Sequence, residues 1–243
     1  MDWQKRLPDP DDVCGSFHVA LSDVATGCHR ARMSVYVWRQ ELDPGFPLAV
    51  LEYVVRGDRD PLHWQRVAKG LIEVAGGLPD VRVLDLGGGL GVPEKEGDAP
   101  LDLAALDRSL TEIRAALPGC QLWLEPGRYL VSEAGVLLAK VTQTKTKSGA
   151  RFVGIATGMN SLIRPALYGA YHGIVHLSRL EGPPAGLVTV VGPICETGDR
   201  LGRDRLLPET REGDVMLIAN AGAYGYAMSS RYNLREPAEE IML

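Results

Sequence analysis

The chain has 243 residues, 45% hydrophobic and 23% charged, a make-up that fits a folded globular protein and excludes a mainly disordered one. The 26 Lys and Arg against 31 Asp and Glu leave a net charge of -5, so no basic field gathers nucleic acid. No apolar run approaches the ~18 residues of a membrane span, and Met1 leads into Pro8, Asp9 and Pro10 in place of a signal-peptide core. The expectation is a cytoplasmic chain with neither nucleic acid nor membrane as partner.

In chain order, residues 1–59 are punctuated by Pro8, Pro10, Pro44 and Pro47, and the apolar runs 17–21 and 48–55 are candidate strands without clear partners. Pro61 then opens a helix of about four turns, with Leu62, Val67, Leu71, Ile72 and Ala75 near helical spacing and Gly76-Gly77 at its end. Residues 81–86 read as a strand closed by glycines, 103–117 as an amphipathic helix running into Pro118-Gly119, and 121–125 as a second strand. Strand, helix and strand make a βαβ unit of a parallel sheet, with function on the loops after the strands. Beyond Arg128 the pieces 136–144, 151–156, 187–191 and 214–220 predict a mostly antiparallel second domain.

Several loops carry candidate chemistry. Gly87, Gly88, Gly89 and Gly91 after the first strand let backbone N–H groups turn toward one anion, or make a plain tight turn. The same glycines fit the start of an S-adenosylmethionine methyltransferase, but that fold needs a helix directly after them, where Val92-Pro93 and Pro100 stand. A dinucleotide fingerprint would need glycine at Val92.

Glu125-Pro126-Gly127-Arg128 puts a carboxylate and a guanidinium at the mouth of the sheet. Arg164 and Tyr168 stand four residues apart in a turn-rich segment and can grip a carboxylate. Cys195 and Glu196 lie in a glycine-rich loop, and Tyr224 in a run of small residues. The four cysteines (Cys14, Cys28, Cys120, Cys195) form no CxxC pair, and His29, His63, His172 and His176 lack metal-ligand company, so no metal is expected. Lys140, Lys145, Lys147 and Arg151 around Ser148-Gly149 read as an exposed hairpin.

The segments LDLGGGLG, EPGR, GMNSLIRPALYGAYH, VGPICETGD and NAGAYGYAMSSRYN, in this order, resemble the C-terminal part of diaminopimelate decarboxylases, from about Asp60 to Leu243, including the decarboxylase portion of bifunctional aspartate kinase fusions. Ornithine-type relatives show Cys-Asp where Cys195-Glu196 stands here. The resemblance implies a remnant of a pyridoxal phosphate-binding (β/α)8 barrel followed by a β-rich domain (α/β plus all-β), divided as an unmatched segment 1–59, a partial barrel 60–128 and a β-rich domain 129–243. It implies decarboxylation of meso-diaminopimelate to lysine, with active sites where two subunits meet.

By the same resemblance Gly88 and Gly89 cradle the cofactor phosphate, Glu125 of the Glu125-Pro126-Gly127-Arg128 turn pairs with the pyridine nitrogen, and Tyr224 contacts the cofactor. Arg128 reaches phosphate and substrate. Arg164 and Tyr168 hold the substrate's distal carboxylate, Glu196 its distal ammonium, and Cys195 reprotonates the substrate carbon.

The chain departs from the family in two ways. Only 81–86 and 121–125 are convincing barrel strands, too few to close. The family's Schiff-base lysine stands in a Lys-Ala-Asn context that none of Lys5, Lys69, Lys95, Lys140, Lys145 and Lys147 has. Residues 16–19 resemble the strand whose histidine stacks on the cofactor, with Ala20-Leu21 in place of Gly-Ser. The expectation is therefore impaired activity, and either a homodimer burying an edge at 81–86 or a companion chain completing the barrel. The alternatives are the methyltransferase and a non-catalytic assembly module.

Overall fold

The computed structural model describes residues 19–20, 34–41, 47–53, 59–75 and 81–243. They fall into two compact units, one running to Val92 and including Pro100–Gly127, the other made of Pro93–Ala99 and Arg128–Leu243.

The first unit holds a five-stranded sheet in the order β1 (Val19–Ala20), β2 (Ser34–Glu41), β3 (Pro47–Tyr53), β4 (Val81–Asp85) and β5 (Gln121–Trp123). β1, β2 and β3 pair antiparallel, whereas β3, β4 and β5 run parallel. Two 14-residue helices, α1 (Leu62–Ala75) and α2 (Leu103–Ala116), fall where the apolar spacing predicts them. Asp60 accepts from the Leu62 N–H at the start of α1, and Asp102 caps α2 through the Ala105 N–H, each at 2.9 Å. Buried Trp64, Val67, Ala68 and Leu71 give α1 its apolar face, and Val81, Val83 and Leu84 are buried along β4.

This sheet corrects two expectations. The run 48–55 has partners on both sides, as β3, and β4 is an interior strand, so the exposed edge expected at 81–86 does not exist. The reason is that β3 supplies a parallel neighbour, in the register Val50↔Val83 and Leu51↔Leu84, that the proline-broken N-terminal sequence conceals. Within the 17–21 run only Val19–Ala20 is described; residues 16–18, Cys14, Cys28 and His29 lie outside the described residues.

The second unit holds a six-stranded sheet, ordered β10 (Arg200–Pro208), β9 (Pro184–Val191), β7 (Ala150–Ile155), β6 (Leu137–Lys147), β11 (Val215–Ile218) and β8 (Ile174–His176). All neighbours are antiparallel except β7 and β9. Its core follows the two-residue period of strands: Leu137, Ala139 and Val141, then Val153 and Ile155, Val188 and Val190, Met216 and Ile218. Ser148 and Gly149, with φ of 51° and 81°, close the expected exposed hairpin. β8 and β10 were not expected: β8 has three residues, and β10 is broken by register shifts and by Asp204 at a φ of 50°.

Candidate functional site

In the first unit the predicted residues gather at the C-terminal ends of the parallel strands β4 and β5. Buried Asp85 accepts the Gly87 N–H at 2.8 Å, which folds the chain back directly after β4. Gly87 and Gly89 take φ of 64° and 79°, open to glycine and strained for other residues. The Glu125 N–H donates to the Gly87 carbonyl at 2.9 Å, so the two loops are bonded. A Cβ on Gly88 would stand 2.3 Å from the Glu125 carbonyl oxygen, so only glycine permits this approach. Gly88 and Gly89 are half-buried, Glu125 is exposed, and the Gly127 N–H closes the Glu125-Pro126-Gly127 turn onto the Glu125 carbonyl at 2.8 Å. A glycine backbone loop bonded to a turn that bears a carboxylate fits a ligand that carries a phosphate and a protonated ring nitrogen.

In the second unit, Arg128 on α3 (Gly127–Val131) donates to Glu94 at 3.0 Å. Arg164 and Tyr168 open and close the short helix α4 (Arg164–Tyr168), which ends on left-handed Gly169. Burial, followed by Arg128, pulls the Arg164 guanidinium below its usual value, while Glu94, Tyr168 and Tyr224 act against this. Arg164 remains a cation. These five side chains thus share one electrostatic neighbourhood. Tyr224 has a φ of 58° and is exposed, in a loop tied back by Ala221 and Gly222 N–H bonds to the Gly135 and Ser132 carbonyls.

The loop after β9 bears Cys195 and Glu196, both exposed. Its neighbour is α4, since a Cβ on Gly198 would lie 3.8 Å from the Ala166 Cβ. The anchor is Asp199, 3% exposed, whose two carboxylate oxygens accept the Met159 and Ile194 N–H groups at 2.7 Å each. One side chain therefore ties the segment leading to Arg164 to the loop of Cys195. Gly158 and Gly192 make room for it: a Cβ on either would come within 2.4 Å of its oxygens. Burial pushes the Asp199 carboxyl up, and the two backbone donors counter this. Glu196 accepts from the Tyr232 hydroxyl at 3.3 Å, and its charge, with Cys195 contributing, pushes that phenol up.

The structure thus brings Gly88 and Gly89 together with the Glu125 turn in one unit, and Arg128, Arg164, Tyr168 and Tyr224 with the Cys195-Glu196 loop in the other. Sequence reasoning missed Glu94, Asp199 and His172. Asp199 stands in the quoted VGPICETGD segment, but nothing local tells a buried anchor from an exposed loop acid. Nothing local to His172 in sequence marks it as a fully buried imidazole between two polar partners. The methyltransferase alternative fails on geometry, because no helix follows the glycines until α2 begins at Leu103. No described helix is long and apolar enough to cross a membrane.

The profile of pyridoxal-dependent decarboxylases, C-terminal sheet domain, matches residues 35–222, starting before the point where the quoted motifs begin. Diaminopimelate decarboxylase of Methanothermobacter thermautotrophicus is 37% identical over 219 residues, covering 85% of this chain and 51% of that protein. Diaminopimelate decarboxylase of Aquifex aeolicus is 43% identical over 167 residues, covering 68% and 39%. The crystal structure of diaminopimelate decarboxylase from Helicobacter pylori complexed with L-lysine is similar with a TM-score of 0.62 and 33% identity, over 76% of this chain and 46% of that one. The chain spans about half the length, or less, of these relatives. With its profile match extending over both units, the chain belongs to the pyridoxal-dependent decarboxylases.

Proposed function

We propose that this chain is the C-terminal portion of a diaminopimelate decarboxylase, carrying residues that contact the cofactor and residues that recognise the substrate's far end. The observation that carries the reading is the neighbourhood of Arg164: a cationic helix, α4, beside a loop that presents the anion Glu196. A substrate with both a carboxylate and an ammonium at its distal end needs both signs, whereas a diamine needs the anion alone.

Gly88 and Gly89 hold the cofactor phosphate with backbone N–H groups, and the Glu125 carboxylate keeps the pyridine nitrogen protonated. Pyridoxal phosphate, when bound, supplies a ring that takes up the electron pair left as carbon dioxide departs. Arg128 reaches toward phosphate and substrate, and Tyr224 contacts the cofactor. Arg164 and Tyr168 orient the distal carboxylate and Glu196 the distal ammonium. Cys195 Sγ supplies the proton returned to the substrate carbon.

None of the six lysines has the family's Lys-Ala-Asn context, so full turnover needs a Schiff-base lysine supplied from outside these 243 residues, in a companion chain or otherwise. We place the protein in the cytoplasm, as a homodimer or beside such a companion chain, because amino-acid biosynthesis supplies the substrate there. The test is absorbance after adding pyridoxal phosphate to the full chain, then borohydride reduction and peptide mass mapping. Saturable uptake that Gly88→Ala and Glu125→Ala both weaken supports the reading. Absence of uptake overturns it in favour of an assembly module, and tight S-adenosylmethionine binding would revive the methyltransferase.

A further inference from the structure

His172 is fully buried and lies between a backbone carbonyl and a guanidinium. Its Nδ1 stands 2.9 Å from the Ala219 carbonyl oxygen, which can only accept a hydrogen bond. Its Nε2 stands 3.1 Å from Arg164 Nη1, which can only donate one. Both contacts are satisfied by one species alone, the neutral imidazole with its proton on Nδ1; an imidazolium would point an N–H at a guanidinium.

The ring's own backbone is fixed as well. The His172 carbonyl accepts from Arg205 Nη2 at 3.0 Å, Arg205 stacks on the Tyr171 ring at 3.7 Å, and Gly173 pairs with Ala219 at 2.8 Å where β8 and β11 meet. Burial and the cations Arg164 and Arg205 oppose its charging, against the Ala219 contact and Glu94.

We propose that His172 is a positioning residue for the substrate-binding guanidinium: as a neutral acceptor it commits one N–H of Arg164 and thereby turns the rest of the fork toward a ligand carboxylate. This rests on the reading of Arg164 given above. Because the second contact runs to the last residue before Asn220, the same imidazole couples Arg164 to the loop that carries Tyr224. The chemical consequence is an acid limb in carboxylate binding: as pH falls, charging of His172 breaks the Arg164 contact while Arg164 keeps its charge. Of the charged groups around the pair, Glu94 attracts and Arg128 repels the guanidinium, and Arg205 on β10, bonded to the His172 carbonyl, opposes charging of the ring.

Two measurements on the full chain separate this proposal from the reading beneath it. Long-range 1H–15N spectra of the imidazoles are expected to show His172 as the Nδ1–H tautomer, neutral at a pH where an ordinary histidine is half charged. An Nε2–H tautomer, or ordinary titration, overturns the proposal whatever the ligand does. Calorimetry with L-lysine then reads the consequence: His172→Phe weakens binding by about tenfold, while His172→Gln, which keeps an acceptor for Arg164, restores most of it and loses the acid limb. Equal affinities in all three proteins overturn the positioning role. If wild type binds no lysine at any pH, the substrate reading falls and the role of aiming a ligand falls with it, while the tautomer spectrum still judges the hydrogen-bond geometry.

Discussion

The two units hold their candidate residues by opposite means. In the first, the loops after β4 and β5 meet backbone to backbone, with Gly88 against the Glu125 carbonyl and no side chain between them. In the second, the loops meet through buried polar side chains: Asp199 ties two segments, and His172 holds Arg164 to the end of β11. A backbone-lined site suits a ligand group that wants N–H donors without specificity among side chains. A side-chain-anchored site suits a substrate that must be told apart from its analogues.

The largest effect that breaks this contrast is expected in the second unit. Asp199→Ala leaves two backbone N–H groups without acceptors and should cost about 2–5 kcal/mol in urea denaturation, with faster alkylation of Cys195 as its loop loosens. A loss below ~0.5 kcal/mol would mean that the carboxylate does not anchor the loops.

Gly88→Ala should cost about 1–3 kcal/mol through overpacking, together with loss of cofactor uptake. Gly97→Ala sharpens the point, because Gly97 has a φ of 83° and open space around it, so it should show only the ~1 kcal/mol of left-handed strain and unchanged uptake. Equal behaviour of the two variants would refute the close approach at Gly88.

A smaller effect concerns pH. The folded-state pKa of His172 lies below its ordinary 6.5, so the unfolded chain binds the proton first as pH falls. Its contribution to stability is complete above that value and declines below it. The thermal midpoint should therefore drop between pH 7 and pH 5, less so in His172→Gln. Smallest of all, Lys147→Ala on the exposed hairpin should change stability by less than ~0.5 kcal/mol.

What sequence could show follows from the range of the interactions. Helices α1 and α2 and the core strands of the second unit were legible because apolar spacing and Gly or Pro endings are local signals. β3 was readable only as an apolar run, because its partner β4 lies beyond a whole helix, and β10 was hidden because bulges break its alternation. The site divides likewise. Gly88, Glu125, Arg164 and Cys195 stand in motifs that the resemblance identifies, whereas Asp199 and His172 each join a near partner to one 40 and 47 residues away, a separation that no local pattern encodes.

On the proposed reading the second unit recognises a carboxylate and an ammonium together. Calorimetric titration of the full chain with L-lysine and with cadaverine, which lacks the carboxylate, decides the matter. The account predicts lysine binding at least about tenfold tighter, with Arg164→Ala erasing the difference. Equal affinity for the two ligands in the wild-type chain, or a preference for lysine that survives Arg164→Ala, would contradict it.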